Sequence, residues 1–398
     1  MGVLPLFLAF YAVLFAAFGV ASPFLPGLLQ DHGLDASRIG VVLAAGTAMR
    51  LLAGPFGGSL ADRTGRARLV LAGFAACSAA IALLYAPARG LLLLTAVSVA
   101  HAAVLAPLTP VADALALGAA DRGPRFRYGW VRGAGSAAFV VGTLLAGRMI
   151  DGLGVGVIVW LNAGLLAGAA VAALALPRGT GCSGPAADAD GSIVSLMRIP
   201  SFVQLMLVVA LIGGSHAMHD GFEVIRWRTA GLSGVQVSVL WASSVAAEVF
   251  VFTLAGPRLL DRIGPARALA LAAAAGVLRW GAAAWTAAFP VMLGVEPLHG
   301  LTFAIAHLAC VSTIVTIVPP SLAARAQAFY ATVALGATVA LVTLASGPLY
   351  QLLGAPAFLA MAGLCACAIP LALGLRIVSA TSAASPLPAA LQRRSSAN

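Results

Sequence analysis

Residues 57–68 read GGSLADRTGRAR, the most charged short run in the first half of a chain that is otherwise mostly apolar. Gly57, Asp62, Arg63, Gly65 and Arg68 form its skeleton. The same residue types return at Gly256, Asp261, Arg262, Gly264 and Arg267 in GPRLLDRIGPAR. All five positions are displaced by 199 residues in a chain of 398. A tight charged turn between two long apolar segments, repeated at half the chain length, predicts two copies of one plan.

Composition decides the solvent. The chain is 61% hydrophobic and 9% charged, whereas soluble domains carry about 25% charge. Lipid must therefore surround it. Every one of the 23 basic residues is Arg, and the net charge is +10. Those arginines fall in short loops rather than in a stripe, so they read as topology signals and not as a nucleic-acid surface. Cys77, Cys310, Cys365 and Cys367 lie inside apolar segments and Cys182 in a loop. Five scattered cysteines with no metal-ligand spacing predict neither a disulfide framework nor a metal site. Residues Val3 to Leu29 are apolar without a basic leader. They are too long for the apolar core of a signal peptide and read as a first membrane helix.

Twelve apolar segments, each near the roughly 20 residues a bilayer requires, run at about 4–29, 38–61, 69–86, 91–117, 129–151, 155–176, 200–226, 235–256, 267–288, 290–317, 326–352 and 355–376. The ninth and tenth are nearly continuous, with a break around Phe289-Pro290. The expected organisation is an N-terminal six-helix bundle over 1–176 and a C-terminal six-helix bundle over 200–376. A flexible linker over 177–199 joins them, and a disordered tail fills 377–398. With both termini cytoplasmic, the inner loops and tail hold sixteen arginines and the outer loops four, namely Arg38, Arg89, Arg226 and Arg228. That asymmetry sets the orientation. A second repeat pairs GRMIDGLG at 147–154 with GPLYQLLG at 347–354. Two parallel six-helix halves fit a transporter architecture whose site lies at their interface near mid-membrane.

Twelve spans, a central loop and the DR-x-G turn after the second span resemble the major facilitator superfamily, and GGSLADRTGRAR looks like its signature loop, with Ala67 where a basic residue is usual. PLTPVADALA at 107–116, YGWVRGAGSAAFVVG at 128–142, SVLWASSVAAEVFVF at 238–252, VLRWG at 277–281 and LHGLTFAIAHLA at 298–309 resemble one branch, the phenylpropionate permease-like transporters, near the oligosaccharide and nucleoside proton symporters. The resemblance implies an all-α inner-membrane protein of twelve helices in two pseudo-symmetric bundles, working as a monomer. It also implies a loop Asp that holds the inward gate shut. Gly57, Asp62, Arg63, Gly65, Arg66, Asp113, Arg132, Asp261 and Arg262 are assigned to conformation on that basis. The fifth span lacks the Gly-Pro motif of drug/proton antiporters, which weakens an efflux reading.

Ionisable groups inside a bilayer cost at least about 2.5–3.5 kcal/mol each on insertion scales, so each needs a reason. The seventh segment carries His216, His219, Asp220 and Glu223 on one helical face. The tenth carries Glu296, His299 and His307. Glu248 stands alone in its apolar run, where a low dielectric favours the neutral acid, as suits a group that loads and releases a proton. Glu248, Asp220, Glu296 and His299 are the proton-coupling candidates, against structural ion pairing as the plain alternative. Arg50 lies one residue from the repeat position of Glu248. Facing a central cavity it would bind a carboxylate bidentately; paired permanently with an acid it would not. Arg279, Tyr11, Phe24, Trp241 and Phe303 complete the substrate candidates, with Trp280 and Tyr330 as further aromatics. Arg279 has the alternative of neutralising Glu296, and Glu223 that of pairing with Arg226. Asp113 and Arg132 are placed to pair. His101 and His307 read as satisfied core residues.

The function expected is proton-coupled uptake of a small aromatic carboxylate by alternating access, without cofactor or nucleotide, since no phosphate-binding loop occurs. A sugar or nucleoside proton symporter is the alternative, then an efflux antiporter. A membrane-embedded enzyme would draw on the His and acid clusters, but no HExxH or paired-aspartate motif is present. A non-transporting receptor has little loop surface with which to meet a partner.

Overall fold

The computed structural model describes residues 3–120, 128–177 and 193–377, and every apolar segment in it is helical. We number the spans α1 (Val3–Ala21, continued by Leu25–Asp31), α2 (Ala36–Thr64), α3 (Ala67–Leu83), α4 (Leu91–Ala120), α5 (Tyr128–Leu153) and α6 (Val157–Leu174). The second set is α7 (Pro200–Thr229), α8 (Gly234–Ile263), α9 (Pro265–Trp285), α10 (Phe289–Ile317), α11 (Pro320–Leu353) and α12 (Ala355–Leu373). Eleven are long and apolar enough to cross a membrane, and α3, at 17 residues, is the short twelfth. Much of the expected linker and nearly all of the expected tail lie outside the described residues. The part of the linker that is described includes a short helix, Ile193–Met197.

Local chemistry sets the ends. Asp35 caps α2 through Arg38 N at 2.9 Å, and Ser233 with Gln236 forms a capping box on α8. The charged run at 57–68 is less of a turn than its composition implies. Helix α2 continues through Thr64, and the chain reverses at Gly65, whose φ of +60° suits glycine. The repeat copy also ends α8 at a glycine of positive φ, Gly264 at +76°, though with an extended ψ of 163° rather than a left-handed turn. Gly57 is a packing position, since a Cβ there would meet Pro107 of α4. The break between α9 and α10 falls at Thr286–Ala288, ahead of Pro290. Pro290 sits in the first turn of α10, where no N–H is needed.

Three apolar cores organise the helices. One draws only on the first six helices, from Phe7 to Leu176. A second draws only on residues from Leu196 to Leu375. The third is shared: Phe24, Ile39, Tyr85 and Ile158 pack with Phe222, Trp227, Leu240 and Phe358. Its members sit at one end of the bundle, beside the loops at Gly33, Gly90, Gly154 and Gly231. The two halves are thus sealed together at that end. The charged turns lie at the other.

Two seams make the seal, α5 against α8 and α2 against α11. Both are built from the second sequence repeat. A Cβ on Gly147 would run into Gly234 O, and one on Gly347 would meet Ala36 O at 2.7 Å, so only glycine allows these approaches. Four residues on, Asp151 accepts from Gly234 N (2.5 Å) and Val235 N (3.0 Å), and Gln351 Oε1 accepts from Ser37 N (3.1 Å). Each side chain satisfies orphan donors at a helix N-terminus of the opposite half. The α2–α11 approach reaches mid-depth, where Gly336 sits on Leu51. Below it, among the described residues, the halves diverge.

Candidate functional site

Between the diverging halves lies a cavity of about 470 Å³. Arg50, Asp220 and Glu248 are the charged side chains in its wall, with His101, His216, His219 and His299 beside them. Tyr85, Phe139, Trp241 and Phe303 supply aromatic surface. Polar groups from one half therefore face polar groups from the other across an apolar-walled chamber.

The C-terminal half carries a buried network. Arg279 of α9 is fully buried and bonds Glu296 of α10 at 2.6 Å. Ser244 of α8 donates to the same carboxylate at 2.6 Å. The guanidinium lies 4.5 Å over the Trp280 ring. It also reaches His219 Nε2 and His299 Nδ1, both at 3.0 Å. Because guanidinium only donates, both ring nitrogens accept, and each imidazole is left a proton on its other nitrogen. His219 Nδ1 then donates to Asp220 Oδ1 at 3.1 Å, and His299 Nε2 donates to Glu248 Oε2 at 3.2 Å. One cation is balanced by one buried acid, and two imidazoles lead from it to two carboxylates on the cavity. Asp220 is 57% exposed and Glu248 26%, both toward that chamber.

The seventh helix needs a departure from α geometry to do this. Residues His219–Glu223 form a π turn, a local feature common at functional sites. The extra residue rotates the C-terminal remainder of the helix by about 100°. Glu223 accordingly leaves the face it would share with His216 and Asp220 and is fully buried, on a turn that packs against α2 and α11.

The placement of the sequence candidates is mixed. Arg50, Asp220, Glu248, His299, Trp241 and Phe303 meet at the cavity. Arg279 and Glu296 do not line it; they neutralise each other behind its wall, the alternative weighed for Arg279. Glu296 and His299, both proton-coupling candidates, each bond Arg279. Tyr11 is buried and donates to Asp113, and Phe24 belongs to the shared core, so neither reaches the cavity. Trp280 is buried with its N–H on Ser215, and Tyr330 is bonded to His307. Asp113 and Arg132 form no ion pair: Tyr11 occupies the acid, and the guanidinium lies over Phe15 at 4.6 Å. Glu223 and Arg226 are likewise unpaired. Asp62, Arg63, Gly65, Arg66, Asp261 and Arg262 are exposed at the open end. Sequence reasoning missed Ser244, Tyr85, Phe139 and Asp151. Only Asp151 left a signal, inside the repeat at 147–154. His101, read as satisfied, has an unpartnered Nε2 at the cavity.

The model of the MFS_1-like family matches residues 6–360. The chain belongs to that family, within the major facilitator superfamily. The probable 3-phenylpropionic acid transporter of Escherichia coli is 32% identical over 88% of this chain and 92% of its own. The maltose permease of Geobacillus stearothermophilus is 28% identical over 68% of each. Among solved structures, the nucleoside transporter NupG (D323A mutant) superposes with a TM-score of 0.83 at 14% identity, covering 94% of this chain and 100% of that one. The MFS chain is a multi-pass membrane transporter, and its twelve helices and two-half plan are those of the superfamily.

Proposed function

We propose that this transporter takes up a small aromatic carboxylate with a proton by alternating access. The observation that carries the reading is Arg50. Its guanidinium lines the cavity with no acidic oxygen within 4.0 Å among the described residues. An unpaired arginine in a low-dielectric chamber is a carboxylate anchor. Trp241, Phe139 and Phe303 offer surface for a ring. The name of the Escherichia coli relative points to the same substrate class.

Charge balance supports the coupling. With Arg279 and Glu296 cancelling, the wall holds one cation, Arg50, and two acids, Asp220 and Glu248. An incoming anion would make that chamber more negative, and a proton on Glu248 restores the balance. His299, bonded to Glu248, reports that proton to Arg279 and the helices it joins. The arginine asymmetry places both termini and the charged turns in the cytoplasm of the bacterial inner membrane. On that reading the sealed end faces outward and the cavity belongs to an inward-open state, with two six-helix bundles, over 1–176 and 200–376, rocking within a monomer. In the opposite state Asp62, Arg63, Arg66, Asp261 and Arg262 would help close the cytoplasmic end.

The test is external pH in a weakly buffered suspension of de-energised cells, with aromatic acids, sugars and nucleosides added in turn. Alkalinisation by aromatic acids, absent in Glu248→Gln, is the expected result. Glu248→Gln should retain substrate exchange. Arg50→Gln should raise the apparent KM for the acid by about 10- to 100-fold, the value of a charge-assisted bond or two. Concentrative uptake by Glu248→Gln would remove its proton role. A response to sugars or nucleosides that survives in Arg50→Gln would favour a neutral substrate.

A further inference from the structure

Glu223, displaced from the cavity by the π turn of α7, is fully buried, and neither carboxylate oxygen has a hydrogen-bond partner among the described residues. The donors around it are turned elsewhere. Arg226, three residues on, directs its guanidinium over the Phe358 ring at 5.7 Å, with Nη1 itself unpartnered. The charged groups nearest the acid are His219 and Arg226 on α7, Arg279 on α9 and Glu296 on α10. His219 is already held by Arg279 and Asp220, and Arg279 by Glu296. Tyr350 on α11 is the remaining titratable neighbour, and its ring is stacked on Phe222. From α2 it is an apolar side chain, Leu43, that comes up against Gly221. The flanking Phe222 and Val224 belong to the core shared by both halves.

An ionised carboxylate buried without a donor costs several kcal/mol, whereas a neutral unpartnered acid costs about 1–3 kcal/mol. The sealed arrangement therefore tolerates only the neutral form. The turn that bears it packs against α2 and α11, so parting that seam would admit water to the side chain, where either form is accommodated. We propose that Glu223 is a second proton-binding site, and that the outer face closes only when this side chain carries a proton. The proposal rests on the proton-coupled, alternating-access reading and adds a gate to it. Since the closed state binds a proton that the open state need not, acid favours closing. In the limit the closed-to-open ratio changes about tenfold per pH unit. Protons from outside would thus trap loaded carriers before the cavity opens inward.

The test uses spin labels on Leu153→Cys of α5 and Leu352→Cys of α11, both exposed at the sealed end, in a chain without its other cysteines. Pulsed distance measurements run from about pH 5 to about pH 9, a range that brackets ordinary and buried carboxyls. No substrate is present. The short-distance population should dominate in acid and decline toward alkaline pH. Glu223→Gln, a permanently neutral analogue, should stay closed at every pH, and Glu223→Asp should keep the decline with a displaced midpoint. A flat profile in the parent chain overturns the proposal. So does a Glu223→Gln or Glu223→Asp profile that coincides with the parent's. The cavity assignment is tested separately by uptake in Glu248→Gln, so a Glu223 failure leaves that reading standing, and the reverse.

Discussion

Asp151→Ala removes the strongest polar contact of the outer seal. Asp151 accepts two backbone bonds from the first turn of α8, at 2.5 Å and 3.0 Å, and one from Arg228 at 3.3 Å. When the halves part, those N–H groups turn to water, so the loss falls on the sealed state alone. A hydrogen bond to a charged group contributes about 1.5–3 kcal/mol. The carboxylate is partly exposed, which puts its bonds at the low end, and the Arg228 contact adds at most about 0.5 kcal/mol. The sealed state should lose about 3 kcal/mol, a shift of about 150-fold toward any state in which the seams have parted. Gln351→Ala removes one neutral bond, at 3.1 Å, and should shift the ratio only about fivefold. The Leu153/Leu352 label pair reads both variants at one pH. A shift in Asp151→Ala no larger than that in Gln351→Ala would refute the reasoning, because it would mean that charge at the helix terminus adds nothing to the seal.

The packing makes two more outcomes testable. Arg279→Ala leaves Glu296 charged and buried without its counter-ion. With Ser244 as the acid's remaining donor, the variant should lower stability by about 3–5 kcal/mol, read as a depressed thermal midpoint in detergent, and Arg279→Met combined with Glu296→Leu should recover most of it. Gly347→Ala places a methyl group 2.7 Å from Ala36 O. It should spread the labelled ends apart without changing helix content by circular dichroism; an unaltered distance would show that the α2–α11 seam yields locally.

The frame was legible because it rests on coarse signals. Apolar length located the helices, the two repeats located the turns and seams, and Asp220, Glu248 and Arg50 stood out as charges with no business in lipid. What escaped the sequence depended on a single-residue rotation or on long-range contact. The π turn at His219–Glu223 has no mark in composition, so the 3.6-residue period put Glu223 on the wrong face. The neutralisation of Glu296 by Arg279 is among the sequence readings, but the links from Arg279 to His219 and His299 join three helices, and only packing shows them. Asp113 and Arg132 looked paired by proximity along the chain, yet Tyr11, 102 residues away, takes the acid. Tyr11 and Phe24 failed as cavity residues for the reason aromatics usually do, since the core needs large apolar volume more than the site does.

The two seams repeat in form but differ in strength, and this gives the proposed gate a direction. Asp151 and Gln351 occupy the same place in the repeat, but only the first is charged, so the α5–α8 seam is held by about 3 kcal/mol of polar contact and the α2–α11 seam by about 1 kcal/mol. The π turn bearing Glu223 packs against α2 and α11, the weaker side. One pH unit on a single carboxyl is worth about 1.4 kcal/mol, enough to outweigh the Gln351 bond but not the Asp151 cluster. Loss of the Glu223 proton should therefore part α2 from α11 first, with α5–α8 serving as the hinge. Spin labels on Arg38→Cys and Leu352→Cys report the first seam, and labels on Leu153→Cys and Val235→Cys the second; all four sites are exposed. Raising the pH should lengthen the α2–α11 distance well before the α5–α8 distance changes. Equal movement of both pairs, or earlier movement of the α5–α8 pair, would show that the unequal polar contacts do not set the order in which the face opens.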